Sequence, residues 1–194
     1  MAQGLLLVIS GPSGVGKGTI CKALRERNHE IVYSISATTP LPRPGEVDGV
    51  SYYFLSPQEF LEALEKGDFL EWAQVYGNYY GTPAWFVEEQ LAVGRNVILE
   101  IDMQGAMKVK QTYPHGVFIF VLPPSQEELA RRLIGRCTDA KDVIAKRLAA
   151  WKEEMKTIDN YDYAVVNDEV ELAVKKIEAI IEAERCRVAR RNRD

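Results

Sequence analysis

The chain has 194 residues, enough for one domain with a sizeable core, and its composition of 46% hydrophobic and 27% charged residues is typical of a globular protein. A formal net charge of −4 argues against a generally basic protein that binds nucleic acid or anionic membranes. No apolar run is long enough to span a bilayer, the N-terminus lacks a signal-like segment, and only two histidines are present, which disfavours zinc and histidine chemistry. Three widely spaced cysteines indicate free thiols in a reducing cytoplasm.

The first predicted element is a buried strand at residues 5–9, which leads through a glycine-rich turn into a helix at residues 17–28. The alternating pattern at residues 31–36 predicts a short strand after that helix. Residues 11–17 match the phosphate-binding pattern G-x-x-x-x-G-K-[ST], in which glycines turn backbone N–H groups inward and a helix N-terminus adds partial positive charge. Gly18 stands where the pattern has Ser or Thr, and Thr19 follows one residue late. A glycine-rich turn without a ligand is the alternative, which the flanking strand and helix disfavour.

Residues 34–94 are predicted to form an insertion of mixed, antiparallel character. It contains two hairpin signals, Asp48-Gly49 and Gly77-Asn78, each between strand-like runs. Three prolines within residues 39–45 require an exposed loop of restricted shape.

Two helices are predicted inside this insertion. Residues 56–59 form a capping box with proline at the first helical position, and that helix ends at Gly67. Thr82-Pro83 is predicted to cap a second helix, which ends at Gly94.

After the insertion, strands and helices alternate again. Strands are predicted at residues 97–101, 117–122 and 163–166, with helices between them and a C-terminal helix that carries one apolar stripe. The pattern predicts an α/β fold with a parallel sheet and helices on both faces. The arginines at the C-terminal end are predicted to form a solvated tail: Arg185, Arg187, Arg190, Arg191 and Arg193.

Glu100 and Asp102 lie at the carboxyl end of the predicted strand at residues 97–101, the edge where ligands collect in α/β sheets. In phosphate-loop enzymes an acidic residue at this place holds magnesium directly or through water. A solvated strand end is the alternative interpretation.

Three arginines, Arg132, Arg136 and Arg147, lie in or beside a polar stretch between two predicted helices. Arginines on a mobile segment suit a transition state whose charge is spread over phosphoryl oxygens. A solvated helix face is the commoner role for such residues, but the phosphate loop favours the functional one.

The insertion carries a group of polar side chains suited to a nucleotide: Ser36, Arg43, Tyr52, Glu71, Tyr80 and Thr82. A carboxylate such as Glu71 accepts from two parallel donors, and guanine offers N1–H and its 2-amino group where adenine offers no such pair. A hydroxyl from Thr82 or Ser36 would donate to the guanine carbonyl. Spacing alone does not force the choice of guanine.

Several motifs together resemble the guanylate kinase family, phosphate-loop kinases that transfer a phosphoryl group from ATP to GMP. The resemblance covers nearly the whole chain. Its motifs are GPSGVGKGT at 11–19, SISATT at 34–39, PRPGE at 42–46 with Gly49 and Tyr52, EWA at 71–73, GNYYG at 77–81, IDMQG at 101–105, PPS at 123–125, GR at 135–136 and VND at 166–168.

The resemblance implies a role for each matching residue. ATP would be held by Gly11, Pro12, Ser13, Gly14, Val15, Gly16, Lys17, Gly18 and Thr19, with Asn167 near the adenine side. Ser36, Glu71, Thr82 and Asp102 match positions around guanine, and Arg43, Tyr52 and Tyr80 match the clamp on the GMP phosphate. The residues expected to act in catalysis are Lys17, Arg43, Asp102, Arg132, Arg136 and Arg147.

The family also implies Mg²⁺ with ATP, held through ATP phosphates and water, a cytoplasmic location, and GMP with dGMP as acceptors. No nucleic-acid or membrane partner is expected, and the oligomeric state is left open. The family fold predicts a phosphate-loop kinase core (residues 1–33, 95–134 and 155–194), a GMP-binding insertion (34–94) and a lid with its adjoining helix (135–154).

Two positions depart from the family pattern. Pro40 stands where the family has the first of two arginines on the GMP phosphate, and Cys137 stands in the lid where glycine is common. Two alternatives remain open: a nucleoside monophosphate kinase with another acceptor, and a related domain that binds protein partners without catalysis.

Overall fold

The computed structural model describes residues 4–75, 77–135, 151 and 153–191. Nine strands in these ranges form two sheets. The strands are β1 Leu6–Ser10, β2 Ile31–Tyr33, β3 Ala37–Thr38, β4 Tyr53–Phe54, β5 Phe69–Val75, β6 Asn78–Pro83, β7 Asn96–Glu100, β8 Val117–Leu122 and β9 Tyr163–Val166. The helices are α1 Lys17–Arg27, α2 Pro57–Lys66, α3 Ala84–Ala92, α4 Met103–Thr112, α5 Gln126–Gly135, α6 Val170–Arg185 and α7 Val188–Arg191, with a 3₁₀ turn at Ile158–Asn160.

The larger sheet has the strand order β2-β7-β1-β8-β9, and every pairing in it is parallel. β1 lies in the centre between β7 and β8, and all five of its residues are buried. A central parallel strand is covered on both faces, which explains its unbroken apolar run. The predicted bounds of β8 and β9 are confirmed, whereas β2 ends at Tyr33, before the predicted end at residue 36.

Helices cover both faces of this sheet, as predicted for the fold class. On one face, α1 and α6 pack through residues such as Ile20 and Ile177. On the other face, α3 and α4 pack through residues such as Val87 and Val109. Each such fully buried side chain contributes about 1.5–3 kcal/mol to stability through its removal from water. Within the described ranges, no helix combines the length and the apolar content that crossing a bilayer requires.

The smaller sheet has the order β4-β3-β6-β5 and is built from the predicted insertion. The hairpin at Gly77-Asn78 is confirmed, because β5 and β6 pair antiparallel up to the Val75–Asn78 pair. The hairpin predicted at Asp48-Gly49 is wrong. Gly49 does occupy a turn with φ of +70°, but the strand after it, β4, pairs in parallel with β3.

The two helices of the insertion begin differently. At α2, the side chain of Ser56 accepts from the backbone N–H of Glu59, and the Glu59 carboxylate accepts from the N–H of Ser56, which confirms the capping box. At α3, Thr82 is not the cap as predicted. Pro83 precedes the helix, and the Thr82 hydroxyl is bonded within the sheet instead.

The arginine-rich end was predicted as a solvated tail; Arg185 and Arg187 are exposed as predicted, but the prediction is wrong for Arg190, whose side chain is only 21% exposed. Glu184 of α6 is only 2% exposed and accepts hydrogen bonds from Arg190, at 2.7 Å, and from the hydroxyl of Tyr163, at 2.6 Å. Arg190 also donates to the backbone carbonyl of His115 at 3.0 Å. The C-terminal segment is therefore held against the larger sheet by an ion pair whose carboxylate is buried.

Candidate nucleotide site

The glycine-rich loop between β1 and α1 is shaped by close backbone packing. Gly11 has a φ of +143°, and a Cβ there would lie 2.3 Å from the carbonyl oxygen of Val121 in β8. Gly16 has a φ of +100°, and a Cβ there would lie 2.5 Å from Nδ2 of Asn167. L residues with side chains rarely adopt such φ values, and neither position has space for one. The loop therefore requires glycine at both positions.

Lys17, the first residue of α1, folds back over this loop. Its Nζ donates to the carbonyl oxygens of Gly11, at 2.6 Å, and Pro12, at 3.2 Å. Burial lowers the pKa of the Lys17 ammonium, while the carboxylate of Glu100 opposes that shift. The side chain thus places a positive charge at the mouth of a loop of backbone N–H groups, an arrangement suited to a polyphosphate.

The carbonyl oxygen of Val15 accepts hydrogen bonds from two predicted site residues that are distant in the sequence. It accepts from Nδ2 of Asn167 at 2.8 Å and from Nη1 of Arg132 at 3.3 Å. Asn167 is 3% exposed, and its Oδ1 has no hydrogen-bond partner among the described residues. Arg132 is further oriented by Glu128, at 2.8 Å. The predicted lid residues Arg136, Cys137 and Arg147 lie outside the described residues.

Gly18, the departure from the phosphate-loop pattern, faces a carboxylate. A Cβ at Gly18 would lie 3.5 Å from Oε2 of Glu100, at the carboxyl end of β7. The same oxygen accepts from the hydroxyl of Tyr33 at 3.3 Å. Oxygen ligands of this kind suit a hard cation or its bound water. Glu100 therefore supplies a polar group on the side of the loop where the pattern places a hydroxyl.

Glu71 and Thr82, both predicted around the base, lie on adjacent strands of the smaller sheet. The Thr82 hydroxyl donates to Oε1 of Glu71 at 2.7 Å. Burial raises the pKa of the Glu71 carboxyl, and the charge of Asp102 raises it further, while the Thr82 hydrogen bond and Lys108 oppose the rise.

Asp102 joins this group from the larger sheet. Its carboxylate accepts from the N–H of Gly105 at 2.8 Å and so caps α4. The first turn of α4 approaches Glu71 closely, since a Cβ at Gly105 would lie 3.1 Å from its Oε2. Asp102 also acts electrostatically on Lys17. The residues predicted for the base and for the phosphates of ATP are thereby linked through the carboxyl end of the parallel sheet.

A pocket with an empty volume of about 280 Å³ opens on the smaller sheet. It is lined by Thr38, Pro40, Leu41, Arg43, Glu46, Tyr52, Phe54 and Tyr80. The rings of Tyr52 and Tyr80 lie 6.4 Å apart at 69° to each other. The structure thus brings together the three residues predicted for the phosphate clamp, with Pro40 beside them. Ser36 does not line this pocket; its backbone carbonyl accepts from Tyr53.

Two further residues near the site were not found by sequence reasoning. Glu154 is half-buried, interacts electrostatically with Lys17 and Asp102, and has one carboxylate oxygen, Oε2, buried without a partner among the described residues. Lys108 donates to the backbone carbonyl of Trp72, next to Glu71. Neither lies in a recognisable motif, because both reach the site only through tertiary packing. The described residues contain no group of three or more His, Cys, Asp or Glu side chains that could hold a metal ion.

Comparison with known proteins identifies the family. The family model for guanylate kinase matches residues 3–184. A guanylate kinase from Caldanaerobacter subterraneus subsp. tengcongensis is 57% identical over 192 residues, covering 99% of this chain and 93% of the relative. One from Clostridium perfringens (strain 13 / Type A) is 58% identical over 188 residues, covering 97% and 87%. The crystal structure of guanylate kinase from Anaplasma phagocytophilum matches with a TM-score of 0.76 at 36% identity, covering 97% of this chain and 90% of that one. The chain belongs to the guanylate kinase family.

Proposed function

We propose that the two halves of this site bind ATP and GMP and that the chain transfers the γ-phosphoryl group of ATP to GMP, giving ADP and GDP. ATP-dependent phosphorylation of GMP is the activity of the family, and dGMP is the proposed second acceptor. The observation that carries the assignment is the Glu71–Thr82 pair, which joins a half-buried carboxylate to a buried hydroxyl at 2.7 Å. This pair offers guanine the two acceptor oxygens of Glu71, one of them oriented by the Thr82 hydroxyl, whereas adenine lacks the matching donors.

On the ATP side, residues 11–19 are proposed to surround the phosphates with backbone N–H groups. When ATP binds, Nζ of Lys17 is proposed to donate to phosphate oxygens in place of the two loop carbonyls that it now contacts. Asn167 holds the loop through Val15, and its Oδ1 is an acceptor without a partner in the described part of the chain, which supports its placement near the adenine. Arg132, fixed on the same carbonyl, is proposed to contact the transferring group.

The proposed metal is Mg²⁺, bound mainly by ATP phosphates and water. Glu100 fits this role, because its carboxylate faces Gly18, where the absence of a side chain leaves space for a water molecule. Bound there, Mg²⁺ would supply positive charge that offsets the negative charge of the phosphates.

On the GMP side, Glu71 and Thr82 are proposed to contact the base together with Ser36 and Asp102. Arg43, Tyr52 and Tyr80 are proposed to hold the phosphate in the pocket of about 280 Å³ that they line. Pro40 lines the same pocket and brings neither charge nor donor. The phosphate is therefore held by one arginine from this loop, where the family pattern supplies two.

The chemistry follows from position and charge. In-line transfer needs no covalent intermediate, so the residues orient the acceptor phosphate and stabilise the transferring group. Arg132, with Arg136 and Arg147 of the proposed lid, would supply the cations. Closure of the insertion (34–94) and the lid (135–154) over the core is proposed to exclude water and limit hydrolysis of ATP.

The proposed location is the cytoplasm, where ATP and GMP are available and where free thiols such as those of Cys21 and Cys186 persist. No nucleic-acid partner is proposed, since Arg185, Arg187 and Arg190 are engaged by glutamates of the same chain. The oligomeric state stays open.

Replacement of Lys17 tests this function. Lys17→Met should lower kcat for GMP phosphorylation by about 10²–10³-fold, because it removes a preorganised cation from the transferring group. Lys22→Met is the matched control on the same helix, since Lys22 forms only an exposed pair with Glu26 at 3.8 Å. A folded Lys17→Met enzyme with unchanged kcat would refute the assignment of Lys17.

A further inference from the structure

Helix α4 touches the edge strand of the smaller sheet at two neighbouring points. Gly105 abuts Oε2 of Glu71, since a Cβ there would lie 3.1 Å from it. Three residues later, on the same helix face, Nζ of Lys108 donates to the backbone carbonyl of Trp72 at 2.5 Å. The same ammonium lies 5.4 Å from the centroid of the Trp72 ring. Lys108 thus contacts both the backbone and the ring of Trp72, the residue next to Glu71.

This contact adds to the packing between α4 and β5, since Leu70 and Ala106 already belong to the same buried core cluster. Among the described strands β5 lies at the edge of its sheet beside β6, so its outer carbonyls depend on groups outside the sheet. α4 belongs to the larger sheet and is capped by Asp102. We propose that Lys108 is a positioning residue for the acceptor nucleotide, tying α4 to β5 so that the Glu71 carboxylate stays in place for the base. The proposal rests on the assignment of Glu71 to guanine.

Charge gives Lys108 a second effect on the same carboxylate. In the described part of the chain, the charged groups that act on Glu71 are Asp102 and Lys108. Burial and Asp102 raise the pKa of Glu71, and Lys108 lowers it. Glu71 must be ionised to accept from both guanine donors. Loss of Lys108 therefore raises the pKa of Glu71 and moves the acid limb of activity toward neutral pH.

Lys110 provides a matched control on the same helix. Its Nζ donates to the backbone carbonyl of Asn160 at 2.5 Å and lies 4.9 Å from the ring centroid of Phe118. It also pairs with Asp162 at 3.5 Å. Each lysine donates to a backbone carbonyl and lies over an aromatic ring. Lys110 makes these contacts in the core, whereas Lys108 makes them with the strand that carries Glu71.

The experiment compares Lys108→Met, Lys108→Arg and Lys110→Met with the wild type in steady-state assays from pH 5 to 9, with unfolding midpoints measured in parallel. Lys108→Met should raise KM for GMP about 3- to 10-fold, leave kcat and KM for ATP within twofold, and shift the acid limb of kcat/KM for GMP upward in pH. Lys108→Arg should restore KM for GMP and the acid limb, because arginine keeps the charge and the donors. Lys110→Met should leave KM for GMP unchanged even if it lowers the unfolding midpoint.

The double variant with Glu71→Gln separates this proposal from the assignment of Glu71. If Glu71→Gln leaves KM for GMP unaltered, the role of Glu71 fails. With Glu71 replaced, Lys108→Met should no longer move the acid limb, since the group it acts on is absent. The proposal is overturned if Glu71→Gln damages GMP use while Lys108→Met leaves KM and the acid limb unchanged. It is also overturned if Lys108→Met and Lys110→Met raise KM for GMP equally.

Discussion

The hydroxyl of Thr82 donates to the carboxylate of Glu71 at 2.7 Å across adjacent strands of the β5–β6 hairpin. Thr82 is 2% exposed, so the bond is shielded from water and helps to orient the Glu71 carboxylate. The pair also explains why Thr82 does not cap α3: its hydroxyl is already engaged within the sheet.

The first prediction concerns this pair. Thr82→Val keeps the shape of the side chain and removes the donor, and hydrogen bonds to charged groups contribute about 1.5–3 kcal/mol. KM for GMP should therefore rise about 10-fold or more, as measured with ATP saturating. Thr112→Val is the control, because the Thr112 hydroxyl bonds only the Val109 carbonyl within α4. A KM for GMP within twofold of the wild type would show that the pair does not position the base.

Two glycines of the phosphate loop should respond to alanine in opposite ways. At Gly16, φ is +100° and the new Cβ would lie 2.5 Å from Asn167, so Gly16→Ala should cost about 1–3 kcal/mol in unfolding free energy and raise KM for ATP. At Gly18, within α1, the Cβ would meet Glu100 at 3.5 Å, an ordinary contact. Gly18→Ala should leave the unfolding free energy unchanged or raise it by up to about 1 kcal/mol. Denaturant titration checks both, and equal losses would contradict the loop geometry.

Pro40 allows the arginine of the family pattern to be restored. Pro40→Arg places a second guanidinium in the pocket beside Arg43 and should lower KM for GMP about 10-fold at low salt. Val50→Arg is the control: Val50 is 70% exposed in the same insertion and is not among the residues that line the pocket, so the variant adds the same charge outside it. An equal decrease in both variants would mean that bulk attraction, and not a specific contact, is responsible.

The C-terminal ion pair should contribute to stability in a pH-dependent way. Burial alone would raise the pKa of Glu184, but hydrogen bonds from Tyr163 and Arg190 outweigh it and hold that pKa below its ordinary value. The stabilisation is therefore present at neutral pH and is lost as pH falls below the ordinary range of a glutamate.

Glu184→Gln should consequently lower the unfolding free energy by about 1.5–3 kcal/mol at pH 7, with a smaller difference from wild type in acid. Glu182→Gln on the same helix should change it by less than about 1 kcal/mol, because the Glu182 side chain is 71% exposed. Chemical denaturation at several pH values measures both. A difference that stays constant down to pH 3 would rule out the proposed linkage.

Sequence reasoning succeeded where local pattern determines structure. β8 and β9 are short strands whose apolar runs fixed their bounds, and the capping box at Ser56 is a contact between residues three apart. It failed where strand pairing depends on residues that are distant in the sequence. Asp48-Gly49 is a hairpin signal, yet β4 pairs in parallel with β3. The loop between these two strands carries the chain back to the end of the sheet at which β3 begins.

The same distinction holds for the site. Glu71 and Thr82 were recognised as chemical types, but their hydrogen bond depends on the register of β5 against β6. Glu154 and Lys108 carry no motif, and only tertiary packing brings them to the site. The C-terminal arginines looked like a solvated tail because the sequence does not show that α6 buries Glu184.

The most direct test of the central claim is a coupled assay of ADP release with GMP, dGMP, AMP and UMP as acceptors, run on the wild type and on Glu71→Gln. We expect kcat/KM for GMP to exceed that for AMP and UMP by at least about 100-fold, dGMP to be accepted, and Glu71→Gln to remove most of this preference. Equal use of AMP or UMP by the wild type would contradict guanine recognition. Release of no ADP with any acceptor would instead favour a binding domain without catalysis.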